Sequence, residues 1–551
     1  MSALLPARVD RAALSLSPFT VPRRASVRRG ALLGLAATAA LTAAGGPLAA
    51  QDLSGRAARD AARSYREANE AGILREFAGL LSLPNVASDS VNIRRNAALL
   101  MEMLRKRGAT ARLLEVPGGP PAVYGELAVP GATRTVVLYA HYDGQPVDPK
   151  QWTGGTPFTP ILRDKALYQG GKEIAFPNDG QRVDGESRIY SRSASDDKGS
   201  ILAMLTALDA LKARGAAPSL NLKFFFEGEE EAGSAHLQQI LETYKSVLKG
   251  DAWLFCDGPV HQSGDQQLVF GLRGVTGLEM TVYGPTRPLH SGHYGNWAPN
   301  PGMLLAHLVA SMRSDDGEIL IPGFYRDVRP LSAAERKAIA GLPLVDTTLR
   351  RSLGLARTEG SNALLAERIM RPALNLRGLR VGGVQELGSN TISTEAFASF
   401  DFRLVPNQTP ERVRELVERH LRTKGWHIVS DTPSVADRLK YPRLVRLQWE
   451  KGYPAQRASM DDPFSRALVR AVSDGAPKAP LLVPTLGGSG PSYLFTLVLG
   501  VPVVTLPIAN YDNNQHATNE NLRVQNLWNA IEMYAGMMAR LGKEWGAPVV
   551  P

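Results

Sequence analysis

The sequence predicts an α/β protein in two parts, a mixed sheet flanked by helices and, inserted in it, a smaller α+β segment. Three observations lead there. Four short runs of apolar, β-branched and aromatic residues, 135–140, 220–226, 252–256 and 502–507, each give way to a polar cluster, as buried strands of an open sheet do. Helical periodicity over 56–81 and 92–107 precedes the first of them and supplies helices to cover a sheet. From Gly274 the pattern changes to strict alternation, at 278–283 and 395–404, with helical segments over 301–313 and 410–423. Alternation implies one buried and one open face, the signature of a small antiparallel sheet with helices on one side. A length of 551 residues exceeds what one core organises, so two domains are expected.

Taken in order, residues 1–50 read as an export signal. They are Arg-rich up to Arg29, and 30–51 carry no charge and are dominated by Ala, Leu and Gly. The pair Arg28-Arg29 before Gly-Ala-Leu-Leu resembles a twin-arginine signal, with cleavage expected near Ala49 or Ala50 and no stable membrane insertion afterwards. This predicts a periplasmic or extracellular protein. The formal charge of +10 does not argue for nucleic acid: six Arg and one Asp in the first 29 residues account for half of it, and no recognition motif accompanies the rest. Cys256 is the one cysteine, so no internal disulfide can form, and its place at a strand end reads as a small buried hydrophobe.

Residues 51–271 and 456–551 are expected to form the larger domain, with a helix over 463–473 in its second part, and 272–455 the insert. The layout of 319–375 is not legible, and 150–186 reads as a Gly-rich surface insertion. The chemistry gathers at the strand ends. Run 135–140 leads into His141-Tyr142-Asp143, 220–226 into Glu227-Gly228-Glu229-Glu230-Glu231, 252–256 into Asp257, and 502–507 into a loop holding His516. The strand-like run from Ile189 ends in Asp196-Asp197 before a helix starting near Ser200. An acidic pair in that position is by itself most often a helix cap. Open α/β sheets bind ligands beyond the carboxyl ends of their strands, so His, Asp and Glu on several such ends point to one shared metal cluster.

These five motifs, in this order, resemble the di-zinc hydrolase family of glutamate carboxypeptidase, carnosine dipeptidase, succinyl-diaminopimelate desuccinylase and acetylornithine deacetylase. The resemblance implies a zinc-peptidase catalytic domain with an inserted lid and dimerisation domain, and two Zn2+ per subunit, replaceable by Co2+ or Mn2+. It implies His141 and Asp257 on one metal, Glu231 and His516 on the other, and Asp196 bridging them, with a cis peptide between Asp196 and Asp197. Glu230 would be the general base, and Asp143, two residues after His141, would accept the second imidazole N–H. In the lid, Leu289-His290-Ser291-Gly292 resembles the motif whose His stabilises the oxyanion, across a dimer interface in dimeric relatives. The strand ending Phe402-Arg403-Leu404 and the turn Gly487-Gly488-Ser489 resemble the contacts for a substrate carboxylate. The expected activity is hydrolysis of a small carboxylate-bearing peptide, as a dipeptidase or carboxypeptidase, by a homodimer. Deacylation of N-acetyl or N-succinyl amino acids uses the same chemistry, and a non-catalytic binding protein on the same fold is the alternative outside enzymes.

Overall fold

The computed structural model describes residues 51–546; the predicted export signal lies outside them. Of the strands in the two larger sheets, six come first: Thr110–Leu114 (β1), Ala122–Leu127 (β2), Thr135–His141 (β3), Asn221–Glu227 (β4), Ala252–Phe255 (β5) and Gln267–Val269 (β6). Five follow: Gly274–Tyr283 (β7), Ala373–Arg380 (β8), Glu395–Leu404 (β9), His427–Val429 (β10) and Leu444–Trp449 (β11). Leu481–Val483 (β12) and Val503–Thr505 (β13) come last. The first six and the last two build one eight-stranded mixed sheet, β1-β2-β4-β3-β5-β13-β6-β12, and the middle five build a second, β8-β9-β7-β11-β10. The chain passes between the sheets on two short antiparallel strands, with Gly271 opposite Arg457 and Leu272 opposite Gln456.

Both faces of the large sheet are covered because its central strands are apolar on both. Val136, Leu138, Phe224 and Phe226 face a core shared with the helices Gly55–Leu81, Lys198–Ala213, Pro463–Ser473 and Val524–Glu544. The alternate residues Val137, Tyr139, Phe225 and Trp253 face a second core with Leu237, Ile240 and Phe495. Phe224, Phe225 and Phe226 are each fully buried, a gain of ~1.5–3 kcal/mol apiece. In the second sheet β9 alternates as its sequence predicts: Ala396, Ala398, Phe400, Phe402 and Leu404 pack on the helices Pro301–Met312 and Pro410–Thr423, and Asp401 and Arg403 take the more open face. Three helices start alike, with Asn300, Thr409 and Asp462 capping a free backbone N–H just before a proline in the first turn.

Strands β3, β4, β5 and β13 run parallel to one another, so their carboxyl ends share one rim. The run before Asp196 departs from expectation. Arg188–Tyr190 belongs to a separate four-stranded antiparallel sheet with Asn521–Arg523, Ile161–Arg163 and Glu173–Ile174. Two short strands of the 150–186 insertion thus belong to this sheet, and the insertion sits beside the loop that carries His516. Segment 319–375 contains the helices Ala333–Ala340, Asp346–Ser352 and Leu365–Ile369. Cys256 is fully buried, and among the described residues no helix is long and apolar enough to cross a membrane.

Candidate metal centre

His141, the last residue of β3, is fully buried with its Nε2 2.9 Å from Asp196 Oδ1. The other oxygen of Asp196 lies 3.2 Å from His516 Nε2, which is in turn 3.1 Å from Glu231 Oε2. Asp196 thus spans two donor groups. One contains His141, Asp197 and Asp257, the other Asp196, Glu231 and His516, and within each the ligand atoms lie within 4.8 Å of one another. Asp197 was not expected among the donors. Its Oδ2 accepts the backbone N–H of His141 at 3.4 Å, and its buried Oδ1 has no hydrogen-bond partner. The Asp196–Asp197 peptide is cis.

Asp143 does more than its spacing from His141 suggests. The imidazole Nδ1 points at the backbone carbonyl of Asp143 at 3.2 Å, with the carboxylate slightly farther at 3.4 Å. The two carboxylate oxygens accept the backbone N–H groups of Glu230 and Glu231, each at 3.0 Å. One buried Asp therefore ties the end of β3 to the acidic turn after β4. In that turn the three glutamates separate. Glu229 accepts from the backbone N–H of His236 at 2.6 Å and lies 2.9 Å from its ring, and Glu231 meets His516 and the Gln145 amide. Glu230 is left with no side-chain hydrogen bond among the described residues.

Sequence reasoning missed the groups that hold this arrangement. Glu520, fully buried, accepts from the backbone N–H groups of Ser193, Ser195 and Asp196 and from Arg192, and so shapes the loop bearing Asp196. Gln515 donates to Asp196 at 3.2 Å and Gln145 to Glu231 at 2.8 Å. His516 itself has φ +61°, a left-handed conformation that a non-glycine residue holds only when its surroundings fix it.

The electrostatics are those of crowded like charge. Burial and the neighbouring Asp196 push Asp257 up to about 7. Burial likewise raises Glu230 well above the usual range, against the pull of His141 and with the help of Asp257 and Asp196. Burial also opposes ionisation of Asp196, but hydrogen bonds from His141 and His516 outweigh it and lower its value. The same contacts, to Asp196 and Glu231, raise His516 to about 10.

Away from the cluster, Arg403 donates from Nε to Asp401 at 2.8 Å and from Nη1 to Ser489 Oγ at 3.0 Å, so the structure brings together the lid strand and the Gly487-Gly488-Ser489 turn. Nothing stands within 4 Å of where a Gly488 side chain would begin, so the turn is open at Gly488, while Gly487 packs on Ile369. His290 is exposed; its Nδ1 accepts the N–H of Gly292 and its ring centroid is 4.5 Å from that of His293. No hydrogen bond or ion pair among the described residues joins His290 to the carboxylate cluster of its own chain.

A model of peptidase family M20/M25/M40 matches residues 137–540, from β3 to the last helix. The chain belongs to this family. The M20 assignment makes it a metal-dependent hydrolase with a mixed-sheet catalytic domain and a dimerisation domain. The Cys-Gly metallodipeptidase of Schizosaccharomyces pombe is 28% identical over 431 residues, 75% of this chain and 81% of that one. The human β-Ala-His dipeptidase is 26% identical over 425 residues, 75% of each. Among solved structures, an M20 metallo-carboxypeptidase from Sulfolobus solfataricus superposes with a TM-score of 0.67 at 28% identity, covering 86% of this chain and 99% of that one. The donor set fits the metals an M20 peptidase needs: two imidazoles and four carboxylates converge, and a divalent cation in each group would relieve the repulsion that raises Asp257.

Proposed function

We propose that this M20 peptidase is an exported di-zinc dipeptidase or carboxypeptidase that cleaves the amide bond of small substrates ending in a free carboxylate. The carrying observation is the pair of donor groups joined by the contact of Asp196 with His141, with Glu230 near His141, Asp257 and Asp196 and hydrogen-bonded to none of them. Two divalent ions held there would supply Lewis acidity to the attacking water and the scissile carbonyl. The mixed imidazole and carboxylate donors suit zinc, with cobalt or manganese as substitutes. Glu230, which no side-chain hydrogen bond engages among the described residues, takes the proton of the water and returns it to the leaving amine. Arg403, Ser489 and the Gly487-Gly488 backbone hold the substrate carboxylate, and His290, from a second subunit, stabilises the oxyanion. In this reading 51–271 and 456–551 form the catalytic domain and 272–455 the lid and dimerisation domain. The names of the relatives, two dipeptidases and a carboxypeptidase, support the reading.

The test is a substrate panel. After chelation and reloading with zinc, the enzyme is expected to hydrolyse dipeptides with a free C-terminus and to leave their amides and N-acetyl or N-succinyl amino acids largely intact. Faster turnover of the N-acyl compounds would make it a deacylase. Failure to retain zinc by elemental analysis would leave a binding protein. Export is tested separately, by fractionating cells that express the full chain.

A further inference from the structure

Arg273 has no role in the account above, and its surroundings call for one. It lies between the connecting strand Gly271–Leu272 and β7, and its backbone N–H donates to the Gly488 carbonyl at 2.9 Å. Val275, two residues on and so on the same face of the extended chain, is paired with Arg403 across β7 and β9. The backbone therefore sets Arg273 on the side of Arg403, against the Gly487-Gly488-Ser489 turn. Its residue is only 8% exposed, yet Nη1 reaches nothing better than the Ile369 carbonyl at 3.5 Å, and Nε is buried with no acceptor. Among the described residues no carboxylate pairs with it. Asp401, the nearby acid, is bound to Arg403 Nε at 2.8 Å and to Asn375. Burial, and then repulsion from Arg403, bring Arg273 down to about 10.

A buried cation without a partner is costly, and proteins keep one where a partner arrives. Asp401 cancels the charge of Arg403, which leaves the subsite neutral without Arg273 and singly positive with it. The geometry points to Arg273 as the second guanidinium of the carboxylate subsite, supplying the unpaired positive charge that draws in one substrate carboxylate. This rests on the proposed role of Arg403 and the Gly-Gly-Ser turn.

The experiment compares zinc-loaded wild type, Arg273→Met, Arg273→Lys and Arg403→Ala. KM and kcat are measured on a dipeptide and its C-terminal amide, and calorimetry follows binding of a free amino acid and its amide. Arg273→Met should raise KM for the free acid roughly 30-fold or more, the usual loss when one member of a buried charge pair is removed, with kcat changed only a few-fold and the amide unaffected. Arg273→Lys should keep most of the acid-to-amide preference. If Arg273→Met leaves that preference intact while Arg403→Ala abolishes it, Arg273 is structural and the inference is overturned. If neither changes it, the carboxylate subsite itself is misassigned. Should Arg273→Met not fold, Arg273→Gln, which keeps a polar side-chain donor without the charge, carries the same comparison.

Discussion

With both oxygens of Asp143 taken by the N–H groups of Glu230 and Glu231, the acidic turn after β4 is held in its orientation at two successive backbone groups. That orientation aims Glu231 at His516 and leaves Glu230 beside His141, Asp196 and Asp257 without a bond to any of them. Glu230→Gln is therefore expected to keep both metal ions and lose turnover by ~10²–10⁴-fold, since only the proton carrier is gone. Glu231→Gln should lose metal first. Elemental analysis beside kcat decides, and the opposite pattern would exchange the two roles. His141, Asp196, Glu231, Asp257 and His516, which the structure brings together, could be picked out in the sequence because each belongs to a distinct motif, His141 and Asp257 directly after a buried strand and Glu231 and His516 in the turns beyond two others. Glu520, Gln145 and Gln515 were not, because a side chain that serves a loop backbone or a neighbouring carboxylate leaves no spacing to read. Asp197 and Arg273 were opaque for a related reason: what marks them is a missing partner, and sequence does not list partners.

At the scale of elements, the long periodic helices and the alternating strands were legible nearly to the residue, as at Glu395–Leu404 and Pro410–Thr423. The insertion at 150–186 was not, because its strands are two and three residues long and show no period. Its position sets it against the His516 loop all the same. The Thr153 N–H donates to Asn519 Oδ1 at 2.9 Å, the Trp152 ring lies 5.4 Å from the Arg192 guanidinium, and the Arg192 N–H donates to the Pro157 carbonyl. Tyr168 reaches Asp512 at 2.9 Å. These contacts grip both ends of the loop that carries His516, whose own φ is unfavourable. The double substitution Trp152→Ala with Asn519→Ala should lower metal affinity about 10-fold or more while leaving circular dichroism unchanged, as loss of outer supports typically does. Competition with a chromogenic chelator measures it. An unaltered affinity would reduce the insertion to a surface feature.

On the scale of the whole molecule, the exposed His290 and the cluster with no bond to it fit a site completed by a second copy. In a mixed two-fold dimer of Glu230→Ala and His290→Ala chains, one site carries both lesions and the other neither, so co-expression should restore about a quarter of wild-type activity to two variants that are nearly dead alone. A purified mixed dimer as inactive as its parents would confine His290 to its own chain or to no catalytic part. The order of the large sheet has a separate consequence, for how the chain gets there. Its inner strand β13 sits between β5 and β6, yet lies more than 200 residues after them in sequence. Until the ribosome has released residue 505, β5 and β6 each have an unsatisfied edge at the middle of the sheet, and the intervening five-stranded segment can form before the sheet that flanks it is closed. Such non-local pairing makes for slow maturation and a long interval in which open strand edges can meet those of other chains.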